Sequence, residues 1–293
     1  MGSAYCRINE FVNSLFGSYT ALLLLIAGFT YLTLFRLFKK FSPNPLMSLL
    51  IYYCSMVGLW GCNREILALM VCVIATKYIF ERKLLKFTLA MLIAASLHLT
   101  ALIFFPAYFL WTWHFSNRTL YLAVIVSFAC GLLHLIDRLP YVDLLAMLDS
   151  IRAGETNFSS YIDSYEGGIT IMGSLKRILF VWLALRAKNR ICNPYYDYFC
   201  ALYVVGCVVY LLFNGSVLQL MASRGALYYN IYETLIVPFF IMYLPIDRPL
   251  QKVSWGMLFT LYFYLMWRDM NSYYIISGID IYNPYKSILS RYM

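Results

Sequence analysis

Arg64 opens an apolar stretch in GCNREILAL, with Glu65 beside it. A guanidinium at a helix start, where free N–H groups and the helix dipole also favour anions, is a phosphate-binding arrangement. The plainer alternative is an interfacial arginine reaching for lipid headgroups. Arg224 sits in a similar place in MASRGALYYNIYETLIVP, ahead of an expected helix carrying Tyr228, Tyr229, Tyr232 and, two turns in, Glu233. An ionisable group inside an apolar helix needs a partner, and Arg224 or Lys176 is the expected one for Glu233, in a site or in a purely structural ion pair. Lys176 and Arg177 adjoin in GGITIMGSLKRILFVWL. Neighbours on a helix point about 100° apart, so at least one should face the protein interior. His98, alone in an apolar stretch, reads either as a proton carrier or, more simply, as a hydrogen-bonding plug that caps a turn.

The elements that position these residues follow from composition. Of 293 residues, 62% are hydrophobic and 13% charged, with a mean hydropathy of +0.70. A soluble domain is about half apolar and roughly a quarter charged, so the bilayer must be part of the solvent. The expected class is all-α, a polytopic transmembrane helix bundle forming one integral membrane domain over 1–293. The net charge of +9 has no dense basic patch behind it. Its Lys and Arg fall in small clusters between apolar runs, a membrane-topology pattern that argues against nucleic acid. The cysteines form no CxxC and no Cys/His cluster, and there is no Walker A, GxGxxG, HExxH, GxSxG or DxD motif. Neither a metal nor a cofactor is expected. The first seventeen residues lack the basic-then-apolar order of a signal peptide.

Eight spans are expected, at 19–38, 45–61, 65–80, 119–136, 170–185, 195–213, 227–244 and 253–267. The stretch 86–113 is anomalous, with Ser96, His98 and Thr100 at its middle and Pro106 beyond. Positive clusters lie at Arg36/Lys39/Lys40, Lys77/Arg82/Lys83/Lys86, Arg118, Arg186/Lys188/Arg190 and Arg248/Lys252. If 86–113 crossed once, these clusters would divide between two sides. If it turns at 96–100 and returns, all five share the inner side, so a broken or re-entrant helix pair is expected. The outer face then receives the Asn63/Arg64 turn, the loop 137–169 with an expected amphipathic helix over PYVDLLAMLDSI, the loop 214–226, and the tail from Arg268 onward.

NREILALMVCVIATKYIFERKLLKFTLAMLIAASLHLTALIFFPAYF resembles the signature stretch of the EpsG family of Wzy-like polysaccharide polymerases. In that stretch an Arg-Gln opens a helix, a Lys/Arg-rich loop follows, and Ala-Ser-x-x-His precedes a second apolar run. SRGALYYNIYETLIVP resembles the family's Arg-x-x-x-Tyr-Tyr helix, and NPYKSIL its Pro-Tyr-Lys ending. The family pattern falls on Arg64, His98, Arg224, Tyr229 and Lys286. Glu65 departs from it, standing where Gln is more usual. AYCRINEFVNSLFG is similar to a family loop that follows one or two earlier helices, so the usual N-terminal helices are expected to be missing.

The resemblance implies polymerisation of repeat units carried on undecaprenyl diphosphate, at the outer face of a bacterial inner (cytoplasmic) membrane. Exopolysaccharide, capsule or O-antigen would be the product. Arg64, Arg224, Tyr229, Lys176, Arg177 and Lys286 become candidate substrate-binding residues. His98 and Glu233 become candidate catalytic residues, with an acid of the loop 137–169 as a further choice of base. Membrane lipid, a chain-length regulator and a flippase are the candidate partners besides the lipid-linked oligosaccharide. A transporter or flippase of lipid-linked sugars, or a polysaccharide ligase or membrane glycosyltransferase, is the alternative.

Overall fold

Two Asn-Pro pairs open helices where they stand. Asn44 accepts a hydrogen bond from the Met47 N–H at 3.2 Å, and Asn193 accepts one from the Tyr195 N–H at 2.9 Å. Pro45 and Pro194 occupy the first helical turn, where a missing N–H costs nothing. Ser18 and Ser116 cap two further starts. In the computed structural model, residues 3–57, 61–113, 115–138, 171–216, 218–219, 221–243 and 247–277 are described. Among them are twelve α-helices and no strand. The helices are α1 (Ser3–Phe16), α2 (Tyr19–Phe41), α3 (Pro45–Ser55), α4 (Asn63–Phe80), α5 (Leu84–Leu97), α6 (Ala107–Leu110) and α7 (Asn117–Leu132). Then come α8 (Ile171–Ile191), α9 (Pro194–Phe213), α10 (Leu227–Asn230), α11 (Glu233–Tyr243) and α12 (Arg248–Ser277).

The fold is all-helical, as expected, but the expected count of eight spans is not matched helix for helix. Among the described residues, α2 and α9 are the helices long and apolar enough to cross a membrane. α8 has the length but carries Lys176 and Arg177 in its first half and Arg186, Lys188 and Arg190 in its second. The remaining apolar segments are short or interrupted. Their outer surfaces are nonetheless apolar: Leu32 and Phe35 on α2, Leu85 and Leu92 on α5, Leu122 and Ile125 on α7, and Met257 and Phe263 on α12 are all exposed. Belts of that size on several helices fit hydrocarbon better than water.

Residues 86–113 do reverse direction. α5 ends at Leu97, and His98 leaves the helix with extended backbone (φ −151°, ψ 118°) while its N–H still bonds the Ala94 carbonyl. The chain then returns through a 3₁₀ turn, Leu99–Phe104, and α6. Tyr108 ends up against Phe87, at 5.3 Å between ring centroids, and under the Arg82 guanidinium, at 4.7 Å. The reversal thus brings 108–111 back beside the start of α5.

The consequence for charge is direct. Phe41, Phe80, Trp111 and Tyr195 form one aromatic cluster with centroids 4.8 to 5.8 Å apart, joining the ends of α2, α4 and α6 to the start of α9. Asn117 bonds Leu185 and Asn189, and Gln251 bonds the Ile241 carbonyl, bringing in the ends of α8 and α11 and the starts of α7 and α12. All five positive clusters therefore lie at one end of the bundle. In the α4–α5 turn, the hydrogen bond from Lys83 to Glu81, reinforced by the charges of Lys83 and Lys77, holds that carboxyl below its ordinary range.

Three segments differ from the sequence reading. Residues 3–16, read as a loop, form α1; the stripe Tyr5, Ile8, Val12 and Leu15 has helical spacing, and Val12 is buried. The expected helix at 227–244 is broken between α10 and α11, so Glu233 opens a helix rather than lying two turns into one. The break lets Tyr232 reach Thr76 (2.6 Å between oxygens) while Glu233 turns toward α8. Arg268, expected in an outer tail, lies within α12, where its charge is met by Asp269 at 2.6 Å and the helix continues. The expected amphipathic helix over 140–151, together with the rest of that loop beyond Arg138, lies outside the described residues, as does Lys286.

Gly206 fixes how closely α9 approaches α10. A Cβ there would sit 2.9 Å from the Tyr229 Cβ and would also meet the Asn230 side-chain oxygen. Gly206→Ala should therefore cost about 1–3 kcal/mol of stability, read by denaturant unfolding in detergent. A neutral result would mean that α10 is free to move away.

Candidate functional site

At the end opposite the positive clusters the structure brings together residues that are far apart in sequence. Gly61, at φ 94°, makes the turn that delivers Asn63 and Arg64 to the start of α4, a conformation only glycine adopts without strain. Asn63 is steadied by a 3.0 Å hydrogen bond from its amide to the Tyr19 hydroxyl. The reversal of the chain delivers His98 to the same place. The π turn Met221–Gly225 delivers Arg224. Arg64, Glu65, His98 and Arg224 line one cavity of about 350 Å³, with Tyr5 and Tyr19 at its edge.

The electrostatics of this first cavity are incompletely balanced. Glu65 is buried, and its Oε2 lies 3.9 Å from Arg224 Nη1, an ion pair at the limit of contact. Neither Glu65 oxygen accepts a hydrogen bond among the described residues. The guanidinium of Arg224 is therefore attracted by Glu65 but not forked onto it. Arg64 has no carboxylate within 4.0 Å among the described residues. His98 Nδ1 is 2.6 Å from the Thr100 hydroxyl, which is 3.0 Å from the Tyr228 hydroxyl. That chain occupies Nδ1 of a histidine that lines the cavity. When Nδ1 carries the proton, Nε2 is a base.

A second cavity, of about 390 Å³, adjoins the first; Cys62 and Arg224 line both. Lys176, Arg177, Asn230, Glu233 and Arg268 contribute to it. The partner of Glu233 is Lys176, at 2.6 Å, not Arg224. The Glu233 carboxylate also accepts hydrogen bonds from Tyr262 at 2.5 Å and Tyr203 at 3.0 Å. Lys176 lies over the Tyr262 ring, 4.9 Å from its centroid. The carboxylate of Glu233 is thus fully engaged within a buried cluster.

Arg177 is different. Its guanidinium stacks on Tyr210 at 3.3 Å and its Nη1 donates to the Gly173 carbonyl at 3.1 Å. Among the described residues its Nε has no hydrogen-bond partner and no carboxylate lies within 4.0 Å of it. Tyr229 lines neither cavity: it is buried, and its hydroxyl donates to the Ile103 carbonyl at 2.7 Å, pinning the 3₁₀ return against α10.

A model of the EpsG family matches residues 2–287, nearly the whole chain. The chain belongs to the EpsG family. EpsG proteins are Wzy-like, so this one is a polysaccharide-polymerase-type membrane protein. No curated protein and no solved structure matches it. Within this EpsG chain, the residues that sequence reasoning did not single out are the ones that hold the site in shape. Thr100 had a legible signal, standing two residues after His98. Tyr203 and Tyr262 had none, because nothing in an apolar helix distinguishes a tyrosine facing a carboxylate from one facing lipid.

Proposed function

We propose that this EpsG protein polymerises repeat units carried on undecaprenyl diphosphate, at the outer face of a bacterial inner membrane that the chain crosses several times as one domain. The growing glycan is transferred from its lipid diphosphate to a hydroxyl of the next lipid-linked unit. The observation that carries this reading is that Arg64, Arg224 and His98 face one cavity at the end remote from every topogenic cluster. Cations placed against the positive-inside trend need a reason other than orientation. A diphosphate leaving group supplies one, since guanidinium groups can fork onto its oxygens.

In the step, the acceptor oxygen forms a bond to the anomeric carbon of the growing chain as the bond from that carbon to the diphosphate breaks. His98 Nε2 takes the acceptor proton, and Arg64 and Arg224 receive the charge that develops on the diphosphate. Glu233 serves to hold Lys176 rather than to move a proton. The gathering of cations at one end, rather than along the depth of the bundle, supports chemistry at a surface over passage through a transporter.

Substitution tests the clamp. Arg64→Lys or Arg224→Lys keeps the charge but loses the fork, and each should lower polymer formation about 10- to 100-fold at normal abundance, the worth of one charge-assisted hydrogen-bonded contact felt in the transition state. The double variant should be no worse than the worse single one, because the two act as a unit. Near-normal polymer length from either variant would make that arginine a structural anchor.

A further inference from the structure

Polymerisation of this kind engages two lipid diphosphates at once, one that leaves and one that is kept, and two cavities adjoin at the outer end of the bundle. Both carriers are anchored in the same leaflet, so both diphosphates lie at one depth, and the acceptor glycan must loop back to present its hydroxyl. The two cavities meet this requirement side by side, separated by Arg224 and Cys62. Each also holds one arginine without a carboxylate within 4.0 Å among the described residues: Arg64 in the first and Arg177 in the second. The other cations of the second cavity are already met, Lys176 by Glu233 at 2.6 Å and Arg268 by Asp269 at 2.6 Å. Arg177 is held by its stacking on Tyr210 and its bond to the Gly173 carbonyl, while its Nε has no partner among the described residues. A fixed guanidinium in an apolar bundle asks for an anion, and among the described residues no carboxylate lies within 4.0 Å of this one.

We propose that the second cavity is a separate diphosphate subsite, in which Arg177 binds the lipid diphosphate of the acceptor unit while Arg64 and Arg224 bind that of the growing chain. The proposal rests on the polymerase reading. The geometry gives the two diphosphates different fates. The donor's must leave, and it lies in the cavity with His98, where the proton is taken. The acceptor's only has to be held, and among the described residues no histidine lines its cavity. After transfer, the lengthened glycan hangs from the lipid in the Arg177 cavity and must pass to the Arg64 cavity before the next cycle. Arg224, which borders both, lies on that route.

Native mass spectrometry of the detergent-solubilised full chain with undecaprenyl diphosphate counts the sites. The wild type should bind two lipids, and undecaprenol, which lacks the headgroup, none. Arg177→Gln and Arg64→Gln should each leave one lipid bound, and that retained lipid also reports a folded protein. One lipid on the wild type would overturn the second subsite and leave the polymerase reading standing. Two lipids still bound to Arg177→Gln would remove Arg177 from the subsite. Loss of both lipids from Arg177→Gln would make the cavities a single site. No binding to the wild type would contradict the subsite and the polymerase reading together.

Discussion

His98→Asn should abolish polymer while the protein remains at normal abundance. Asparagine can cap the end of α5 and hydrogen-bond Thr100, as the Nδ1 of His98 does at 2.6 Å, so the local structure has a substitute. It cannot replace the basic ring nitrogen of a residue that lines the first cavity together with Arg64 and Arg224. General-base catalysis of this kind is worth about 10²–10⁴-fold, which sets the expected loss of rate. Retained polymer would return His98 to the plainer role of a plug at the turn. Thr100→Val offers an independent check, because it cuts the hydrogen-bond chain from Tyr228 without touching the imidazole. It should lower the rate less than His98→Asn does.

The second large effect concerns stability. Glu233→Ala leaves the half-buried Lys176, which lies over the Tyr262 ring, without the carboxylate now 2.6 Å away. Breaking a buried pair from one side costs about 3–5 kcal/mol, whereas replacing both partners by apolar groups of similar volume is often close to neutral. The single variant should therefore unfold in detergent at markedly lower denaturant, and Glu233→Leu combined with Lys176→Met should recover most of the loss. Polymer made by the recovered double variant would show that Glu233 is not the base. A stable, folded double variant without polymer would contradict the assignment of the proton to His98. Unchanged stability of Glu233→Ala would mean that the cluster is not a structural ion pair.

The sequence carried the frame of this fold because charge and apolar length speak for themselves in a membrane. The five positive clusters required 86–113 to return on itself, and the return at His98 brings Tyr108 and Trp111 back beside Arg82 and Phe80. The same reasoning set Arg64 and Arg224 at the opposite end, and one cavity holds both. It went wrong where polar contacts from distant helices override local pattern. The run 227–244 reads as one helix, but Thr76 on α4 and the Lys176 of α8 draw Tyr232 and Glu233 apart, and the helix breaks between α10 and α11. Arg268 read as the end of a span because a charge in an apolar run suggests an exit from the bilayer. Its neighbour Asp269 neutralises it, and α12 runs on to Ser277. Tyr229, prominent in the YY pair, is spent on the Ile103 carbonyl, a backbone partner that no side-chain pattern announces.

The most direct measurement reconstitutes the purified chain in liposomes with one synthetic repeat unit linked to undecaprenyl diphosphate and nothing else. The account predicts a ladder of lipid-linked glycans longer than one unit, with one molecule of undecaprenyl diphosphate released for every linkage formed. A substrate that stays one unit long, yet moves from one leaflet to the other in the presence of the protein, would contradict it and make the chain a transporter.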